Sequence, residues 1–180
     1  MPRLFTGIEI PAEVARALGP FRGGLPGARW IEAGDYHVTL RFLGDVEPEV
    51  AEEMHAELLA ARPRPDLTVT LDGLASFGGH KPRALLASVA PTAELADLHG
   101  EHERMARRAG VEPDTRRFTP HVTLARLRRE ATPEALAAYL SQAPVFPPIA
   151  FTARRVALFS ARESRGGGPY PVEAAYPFAP

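Results

Sequence analysis

The sequence contains no cysteine, and this absence excludes several kinds of chemistry. Disulfide bonds, thiol nucleophiles and zinc sites with thiolate ligands are all ruled out. Lysine is almost as scarce, because Lys81 stands alone beside 20 arginines. No apolar run approaches the length that crosses a membrane. Any catalytic chemistry must therefore come from histidine, hydroxyl groups, carboxylates or arginine.

The length and composition are typical of one globular domain. The chain has 180 residues, of which 45% are hydrophobic and 24% are charged, which is enough for a substantial apolar core. We therefore expect a single domain over residues 1–180. Residues 1–8 lead directly into a strand pattern and contain no long apolar signal core, which predicts a cytoplasmic location and no membrane partner.

The net charge of −1 argues against a protein that coats nucleic acid through bulk electrostatics. The distribution of charge is more informative, since residues 1–90 are net acidic and residues 91–180 are net basic. Arginines cluster on both sides of His121, at positions 116–117 and 126–129. A solvated surface and a local anionic ligand both fit such clusters, and their place beside His121 favours the ligand.

The most informative feature is a repeated tetrapeptide. His-Val-Thr-Leu occurs at residues 37–40 and again at 121–124. Chance would produce the second copy in about one of several hundred chains of this composition. Side chains alternate faces along a strand, so His37 and Thr39 share one face, as do His121 and Thr123. The same alternation predicts Val38, Leu40 and Phe42 on the opposite, buried face.

Hydrophobic periodicity predicts an α+β fold. Predicted strands cover residues 4–10, 29–31, 37–43, 66–74, 84–89, a segment from 121, 149–159 and 170–176; predicted helices cover 12–18, 48–61, 91–109 and 133–140. The second half repeats the order of the first. We expect a bilobal molecule with two mainly antiparallel sheets, helices on the outer faces and pseudo-two-fold symmetry around a central cleft.

Paired histidines and hydroxyls across a cleft suit attack on a phosphodiester. In-line displacement at phosphorus needs a base beside the entering oxygen and an acid beside the leaving oxygen. Two imidazoles can fill both roles near neutral pH, and Thr39 and Thr123 can donate hydrogen bonds to the non-bridging oxygens. This set requires neither a metal nor a cofactor.

Other site types are weakly supported. The spacing of His99 and His102 resembles that of metal ligands, but the surrounding glutamates favour a solvated helix face instead. No glycine-rich phosphate loop opens a helix, and no serine sits in a nucleophile elbow.

The motifs resemble those of the two-histidine phosphoesterases, and among these the RNA 2′,3′-cyclic phosphodiesterases first described as 2′-5′ RNA ligases. The first copy continues as Arg41-Phe42-Leu43-Gly44 and the second as Ala125-Arg126, like the continuations in that family. Further similar positions run through the chain: Arg3 to Phe5, Trp30, Ser76-Phe77, Arg83, Ser160 and Gly167 to Tyr170.

The resemblance implies a bilobal fold and hydrolysis of RNA 2′,3′-cyclic phosphate ends to 2′-phosphomonoesters, with a weak reversible 2′-5′ ligation beside it. It implies RNA 3′ ends as partners, with tRNA halves as one candidate, no metal and no need for an oligomer. Because the 3′ oxygen must leave, we expect His37 to be the proton donor and His121 the proton acceptor. Strict alternation places Arg126 on the apolar face, which conflicts with the phosphate-binding role that the resemblance implies.

Three aromatic side chains are candidates for stacking on a base, namely Phe5, Trp30 and Tyr170. Each also fits an ordinary position in the core. Two other functions fit the same motifs: a noncatalytic nucleotide-binding module, and a phosphodiesterase acting on small cyclic nucleotides.

Overall fold

The computed structural model describes residues 1–161 and 167–179, and in these ranges the chain forms nine strands and four helices. The elements in chain order are β1 Arg3–Glu9, α1 Ala12–Ala17, β2 Ala28–Trp30, β3 His37–Asp45, α2 Pro48–Leu59, β4 Leu67–Phe77, β5 Ala84–Val89, α3 Ala93–Arg108, β6 His121–Leu127, α4 Pro133–Gln142, β7 Ile149–Ala153, β8 Arg155–Ser160 and β9 Val172–Pro177. The predicted α+β class is confirmed, and the predicted elements differ from these mainly at their ends.

All strand pairs are antiparallel, and the strand order is β7-β4-β5-β6-β3-β1-β8-β9. The short strand β2 pairs with the end of β6, on the edge that β5 does not occupy. The two predicted sheets are joined where β3 meets β6, through the single pair Val38 and Val122. Each valine directly follows the histidine of its motif. The two motifs therefore run antiparallel to each other through this pair, and a local pseudo-two-fold axis passes between the two valines.

Each lobe takes strands from both halves of the chain, so the lobes do not correspond to the two halves that carry the repeated order of elements. One lobe contains β1, β3, β8 and β9, and the other contains β2, β4, β5, β6 and β7. Only Arg154 separates β7 in one lobe from β8 in the other. After this short crossing β8 pairs with β1, whereas β7 pairs with β4.

Helices cover the face of the sheet opposite the motif histidines. In α3 the buried residues Leu95, Leu98, His102 and Met105 recur at helical spacing and belong to or pack with the main core. Thr92 caps this helix by accepting a hydrogen bond from the Leu95 N–H, an interaction that typically stabilises a helix by about 1 kcal/mol.

The predicted solvated position of His102 is wrong. Its side chain is 1% exposed, and its Nδ1 shares a 2.7 Å hydrogen bond with the Thr6 hydroxyl of β1. The imidazole therefore occupies a core position where most helices would carry an apolar side chain. Burial lowers the pKa of His102 to about 3, which keeps the ring neutral near pH 7.

Among the described residues, no helix combines the length and the apolar character needed to cross a bilayer.

Candidate active site

The ring of His37 is held at the start of β3 by the backbone just before it. Its Nδ1 lies 2.8 Å from the carbonyl oxygen of Asp35. Because a carbonyl oxygen only accepts, Nδ1 carries the proton in this bond and Nε2 is the ring nitrogen left for chemistry.

The ring of His121 is held in the same way at the start of β6. Its Nδ1 donates to the carbonyl oxygen of Thr119 over 2.7 Å. In both motifs the acceptor is the carbonyl oxygen of the residue two positions upstream, so the same local hydrogen bond orients both histidines. The structure thus presents two imidazoles, each with Nδ1 engaged and Nε2 available.

A β-bulge follows the threonine in each motif. In β3, Thr39 and Arg41 face consecutive residues of β1, so Leu40 is the additional residue. In β6, Thr123 and Ala125 face consecutive residues of β5, so Leu124 is the additional residue. A bulge shifts the alternation of side chains by one position.

The bulges overturn two predictions made from strict alternation. Phe42 lies on the cleft face instead of the buried face, where 37% of its surface is exposed. Arg126 also lines the cleft, so its conflict with the family resemblance disappears. Arg41 instead turns toward Glu103 of α3 and is 5% exposed.

The cleft consists of two adjoining cavities. The His37 cavity has a volume of about 430 Å³ and is lined by Met1, Arg3, Phe5, His37, Thr39, Phe42, Asp45, Arg126, Ala161 and Tyr170. The His121 cavity has a volume of about 260 Å³ and is lined by Thr39, Leu40, Arg41, Phe42, Phe77, His99, Asp114, Arg116, Arg117, Phe118, Thr119 and His121. Thr39 and Phe42 belong to both, so they form the boundary between the cavities.

The two motif threonines are placed differently. Thr39 lines both cavities, whereas Thr123, two residues after His121 in β6, is half-buried and lines neither cavity. Within residues 1–161 and 167–179, neither hydroxyl has a hydrogen-bond partner.

Aromatic rings surround His37. Its ring centroid lies 4.7 Å from that of Phe5, 5.1 Å from Tyr170 and 5.4 Å from Phe159. Phe5 is stacked on Phe159 and only 3% exposed, so it forms the wall behind His37 and has no free face for a base. Tyr170 is half-buried at the cavity, and its N–H donates to the Asp35 carboxylate over 3.0 Å.

The predicted base-stacking role of Trp30 is wrong. In the register of β2 and β6, Trp30 lies opposite Ala125, which points into the core. Its ring packs against Tyr139 of α4, with centroids 6.3 Å apart, and it lines neither cavity. An aromatic residue near the motif in sequence was not a sufficient signal, because β2 turns that face toward the helices.

The surroundings of both histidines favour the neutral imidazole. Burial lowers the pKa of His37 to about 4; the bond to the Asp35 carbonyl opposes this effect, and the charges of His121 and Arg126 add to it. Burial also lowers the pKa of His121, again with a contribution from Arg126. A phosphate anion between the rings would favour their protonated forms and offset these effects.

A buried ion pair links the first motif to the second and was not predicted. Arg41 of β3 pairs with Glu103 of α3, and its guanidinium also donates to the carbonyl oxygens of Phe42 and Glu112. Glu103 in turn accepts from the Asp114 N–H over 3.0 Å. Residues 112–114 are thus anchored a few positions before Thr119, whose carbonyl orients His121.

Metal ligation finds no support among the described residues, where no group of three or more His, Cys, Asp or Glu side chains converges. The ring of His99 stacks on Phe118 with centroids 4.0 Å apart, while His102 bonds to Thr6. The two histidines therefore serve different contacts and do not form a common site.

The chain is similar to known proteins in both sequence and structure. The profile of the 2′-5′ RNA ligase superfamily matches residues 10–165. A protein named RNA 2′,3′-cyclic phosphodiesterase from Geobacillus stearothermophilus is 33% identical over 151 residues, or 79% of this chain. Its counterpart in Escherichia coli K12 is 35% identical over 134 residues, covering 72% of this chain and 74% of the relative. The alignments cover 48% of the Geobacillus relative and 60% of one from Aeropyrum pernix, so less than two thirds of the length of either relative is matched.

Solved structures share the fold over nearly the whole chain. A crystal structure of a phosphoesterase superposes with a TM-score of 0.76 at 24% identity, covering 99% of both chains. E. coli LigT complexed with 3′-AMP superposes with a TM-score of 0.76 at 25% identity, covering 98% of this chain and 97% of LigT. The resemblance predicted from the two motifs is confirmed, and the chain belongs to the 2′-5′ RNA ligase superfamily.

Proposed function

We propose that this protein hydrolyses RNA 2′,3′-cyclic phosphate ends to 2′-phosphomonoesters, and that residues 1–180 act as one bilobal two-histidine phosphoesterase domain without a metal or cofactor. The observation that carries the proposal is the matched pair of imidazoles, each held through Nδ1 by the carbonyl two residues upstream. The relatives named RNA 2′,3′-cyclic phosphodiesterase support the same reaction.

In the proposed reaction, His121 and His37 act on opposite sides of the phosphorus. Nε2 of His121 takes a proton from water as the water oxygen bonds to phosphorus. The bond from phosphorus to the 3′ oxygen breaks, and that oxygen takes the proton from Nε2 of His37. The 2′ phosphate ester stays intact, and each proton transfer typically contributes a factor of about 10² to 10⁴ in rate.

The remaining residues stabilise charge and hold the RNA end. Thr39 and Thr123 donate hydrogen bonds to the non-bridging oxygens, and Arg126 places a positive charge near both imidazoles. On the proposed path the terminal ribose lies in the His37 cavity beside Tyr170. Phe42, with its exposed face in the same cavity, takes the stacking role that was expected of Phe5 and Trp30.

Substrate class can be tested by identifying products in the presence of EDTA. We expect an oligoribonucleotide with a 2′,3′-cyclic phosphate to yield a 2′-phosphate, and a 3′,5′-cyclic nucleotide to remain intact. Preferential opening of the 3′,5′-cyclic nucleotide would favour the small-nucleotide phosphodiesterase instead. Tight binding of both without turnover would favour a nucleotide-binding module.

The acid and base roles can be separated with a substrate whose bridging 3′ oxygen is replaced by sulfur. A thiolate leaves without protonation, so a variant that lacks only the acid regains rate on this substrate. We expect the sulfur substrate to restore much of the lost rate in His37→Ala and little in His121→Ala. The opposite pattern would exchange the two roles.

We also propose a weak reversible 2′-5′ ligation, in which a 5′ hydroxyl replaces water as the entering group; tRNA halves are one candidate substrate. The name of the superfamily favours this second activity. A cytoplasmic location fits both activities.

A further inference from the structure

Another cavity lies on the helix-covered side of the sheet and shares no lining residue with the two cavities of the cleft. We call it the His102 cavity, and its volume is about 130 Å³. Its walls are buried apolar side chains from α2, α3, β8 and the residue after β9, namely Leu58, Leu98, Met105, Val156 and Phe178. An apolar cavity of about 150 Å³ holds benzene, so this volume suits an apolar body of about four to six carbons.

The buried His102 brings a hydrogen-bond donor to this cavity. Thr6 is fully buried, and within the described residues its hydroxyl has no acceptor other than Nδ1 of His102, so the hydroxyl donates and Nδ1 accepts. The single proton of the neutral ring is therefore on Nε2. Nε2 has no hydrogen-bond partner in the same part of the chain, and protein atoms do not seal it off. Its N–H thus reaches the cavity that the ring lines.

The charged groups at the mouth of the cavity are net positive. Arg64 is bonded to Glu101 over 3.0 Å, so these two charges offset each other. Arg62 is exposed and has no ion-pair partner among residues 1–161 and 167–179. After burial, the charge of Arg64 is the next cause of the lowered pKa of His102, so this guanidinium lies near the imidazole. An occupant therefore meets cations and an N–H donor, which suit an anion.

Water alone fits this arrangement poorly. A buried water molecule typically needs about two to four polar partners. Leu98 and Met105 lie about one turn on either side of His102 on α3 and present apolar surface to the same cavity. A molecule with one polar end and an apolar body matches these walls better.

We propose that the His102 cavity binds a small monocarboxylate with a branched or cyclic apolar body, whose carboxylate accepts the hydrogen bond of the His102 Nε2–H. Arg62 and Arg64 balance the charge of the carboxylate, and the body packs on Leu98 and Met105. The inference does not depend on the proposed reaction, because an occupant of this cavity does not enter the cleft.

The three methionines provide separate reporters for a binding experiment. Met105 lines the His102 cavity, Met1 lines the His37 cavity, and Met54 is buried in the core and lines neither. The probe is isovalerate, added to the full chain while the isotope-labelled methionine methyl groups are followed by NMR. We expect a saturable shift of the Met105 signal and no shift of the other two. Inorganic phosphate, which suits the cleft, should not displace the isovalerate.

Two related molecules separate the roles of the body and the charge. Acetate lacks the apolar body and should bind at least about tenfold more weakly than isovalerate, because it leaves the apolar walls uncovered. Isoamylamine has the same branched body with a positive charge, and it should not bind.

Variants test the polar contacts. Thr6→Val combined with His102→Leu removes both partners of the buried hydrogen bond, so no polar group is left unpaired and we expect the fold to persist in urea unfolding. This double variant should bind isovalerate about tenfold or more weakly. Arg62→Gln should weaken binding by about twofold to fivefold. Arg129→Gln, at an exposed position outside the cavity, is the matched control and should not change it.

Four results would overturn the inference. No shift of Met105 at millimolar isovalerate would mean that the cavity holds water alone. A shift of Met1 that phosphate reverses would place the carboxylate in the cleft. Equal binding of isoamylamine would remove the role of the cations, and unchanged affinity in both Arg62→Gln and the double variant would remove the proposed contacts. The comparison of acid and amine uses the unmodified protein, so it decides the question even if the double variant does not fold.

Discussion

Replacing Arg41 with methionine should weaken both the fold and catalysis. The side chains of Arg41 and Glu103 are 5% and 12% exposed, so the variant leaves a carboxylate largely shielded from water without its main partner. Breaking a buried ion pair from one side costs about 3 to 5 kcal/mol. The carbonyl oxygen of Glu112 loses a hydrogen bond as well. We expect a loss of stability in this range, measured by urea unfolding at pH 7.

The loss should depend on pH in a defined direction. Burial alone would raise the pKa of Glu103, but the hydrogen bonds from Arg41, the Asp114 N–H and Arg107 outweigh it and lower the pKa to about 2. A carboxyl with a lowered pKa in the folded state contributes stability above its ordinary value near 4.5 and loses it as the pH falls toward 2. The contribution is at most about 3 kcal/mol, reduced by solvent screening. The difference between Arg41→Met and the unmodified protein should therefore shrink between pH 5 and pH 3.

Catalysis should decline because residues 112–114 precede the carbonyl that orients His121. A displacement of about 1 Å at a catalytic group can cost about a hundredfold in rate, so we expect kcat to fall by about tenfold to a hundredfold. Arg107→Met is the matched control, since Arg107 pairs with the same carboxylate but is 51% exposed. It should cost less than about 1 kcal/mol and leave kcat unchanged. Equal losses in the two variants, or an Arg41→Met protein as stable as the original, would refute the reasoning.

Three further predictions concern the motif histidines, the buried His102 and Gly168. First, the lowered pKa values of His37 and His121 should place the maximum of the kcat/KM profile below pH 6.5, and the bound phosphate should move the kcat profile to higher pH. Second, burial lowers the pKa of His102 to about 3, so below pH 6.5 the unfolded chain binds a proton at this position and the folded chain does not. The folded state therefore loses stability as the pH falls from 7 to 5, and His102→Gln should reduce this loss by about 2 kcal/mol in urea unfolding. Third, Gly168→Ala should lower kcat by about tenfold or more, because Gly168 has φ +96 and an added Cβ would lie 2.6 Å from the Asp35 carboxylate.

Each of these predictions has an outcome that contradicts it. A kcat/KM maximum above pH 7 would mean that the free enzyme does not hold these histidines neutral. An identical pH dependence of unfolding in His102→Gln would remove the buried imidazole as a cause. For the glycine, Gly34→Ala is the control, since an added Cβ there meets no atom within 4 Å, and equal effects at both positions would rule out the contact with Asp35.

The sequence predicted the elements and the pairing of the two motifs, because periodicity and an internal repeat are local signals. It did not predict that β8 pairs with β1 while β7 pairs with β4, since a crossing of one residue leaves no mark in hydrophobic pattern. The two halves of the repeat are therefore related in space without being separate units along the chain.

Strict alternation failed at the two bulges, and both failures occurred within the site. The additional residues Leu40 and Leu124 are apolar and β-compatible, so nothing in their identity predicts a bulge. The consequence was a wrong face for Phe42 and an apparent conflict for Arg126. Phe42 and Arg126 occupy the same position in the two copies of the motif, five residues after the histidine. This match was the one signal in the sequence that the two side chains face the same surface.

The proposed phosphate site between the two imidazoles can be tested by the rate of 2′-phosphate formation from an oligoribonucleotide 2′,3′-cyclic phosphate in EDTA. We expect a loss of at least about a hundredfold in both His37→Ala and His121→Ala, with circular dichroism spectra unchanged. His80→Ala, an exposed histidine that lines neither cavity, should retain the original rate. Full activity in either motif variant, or a reaction that stops when EDTA is added, would show that the two imidazoles do not form a metal-independent phosphate site.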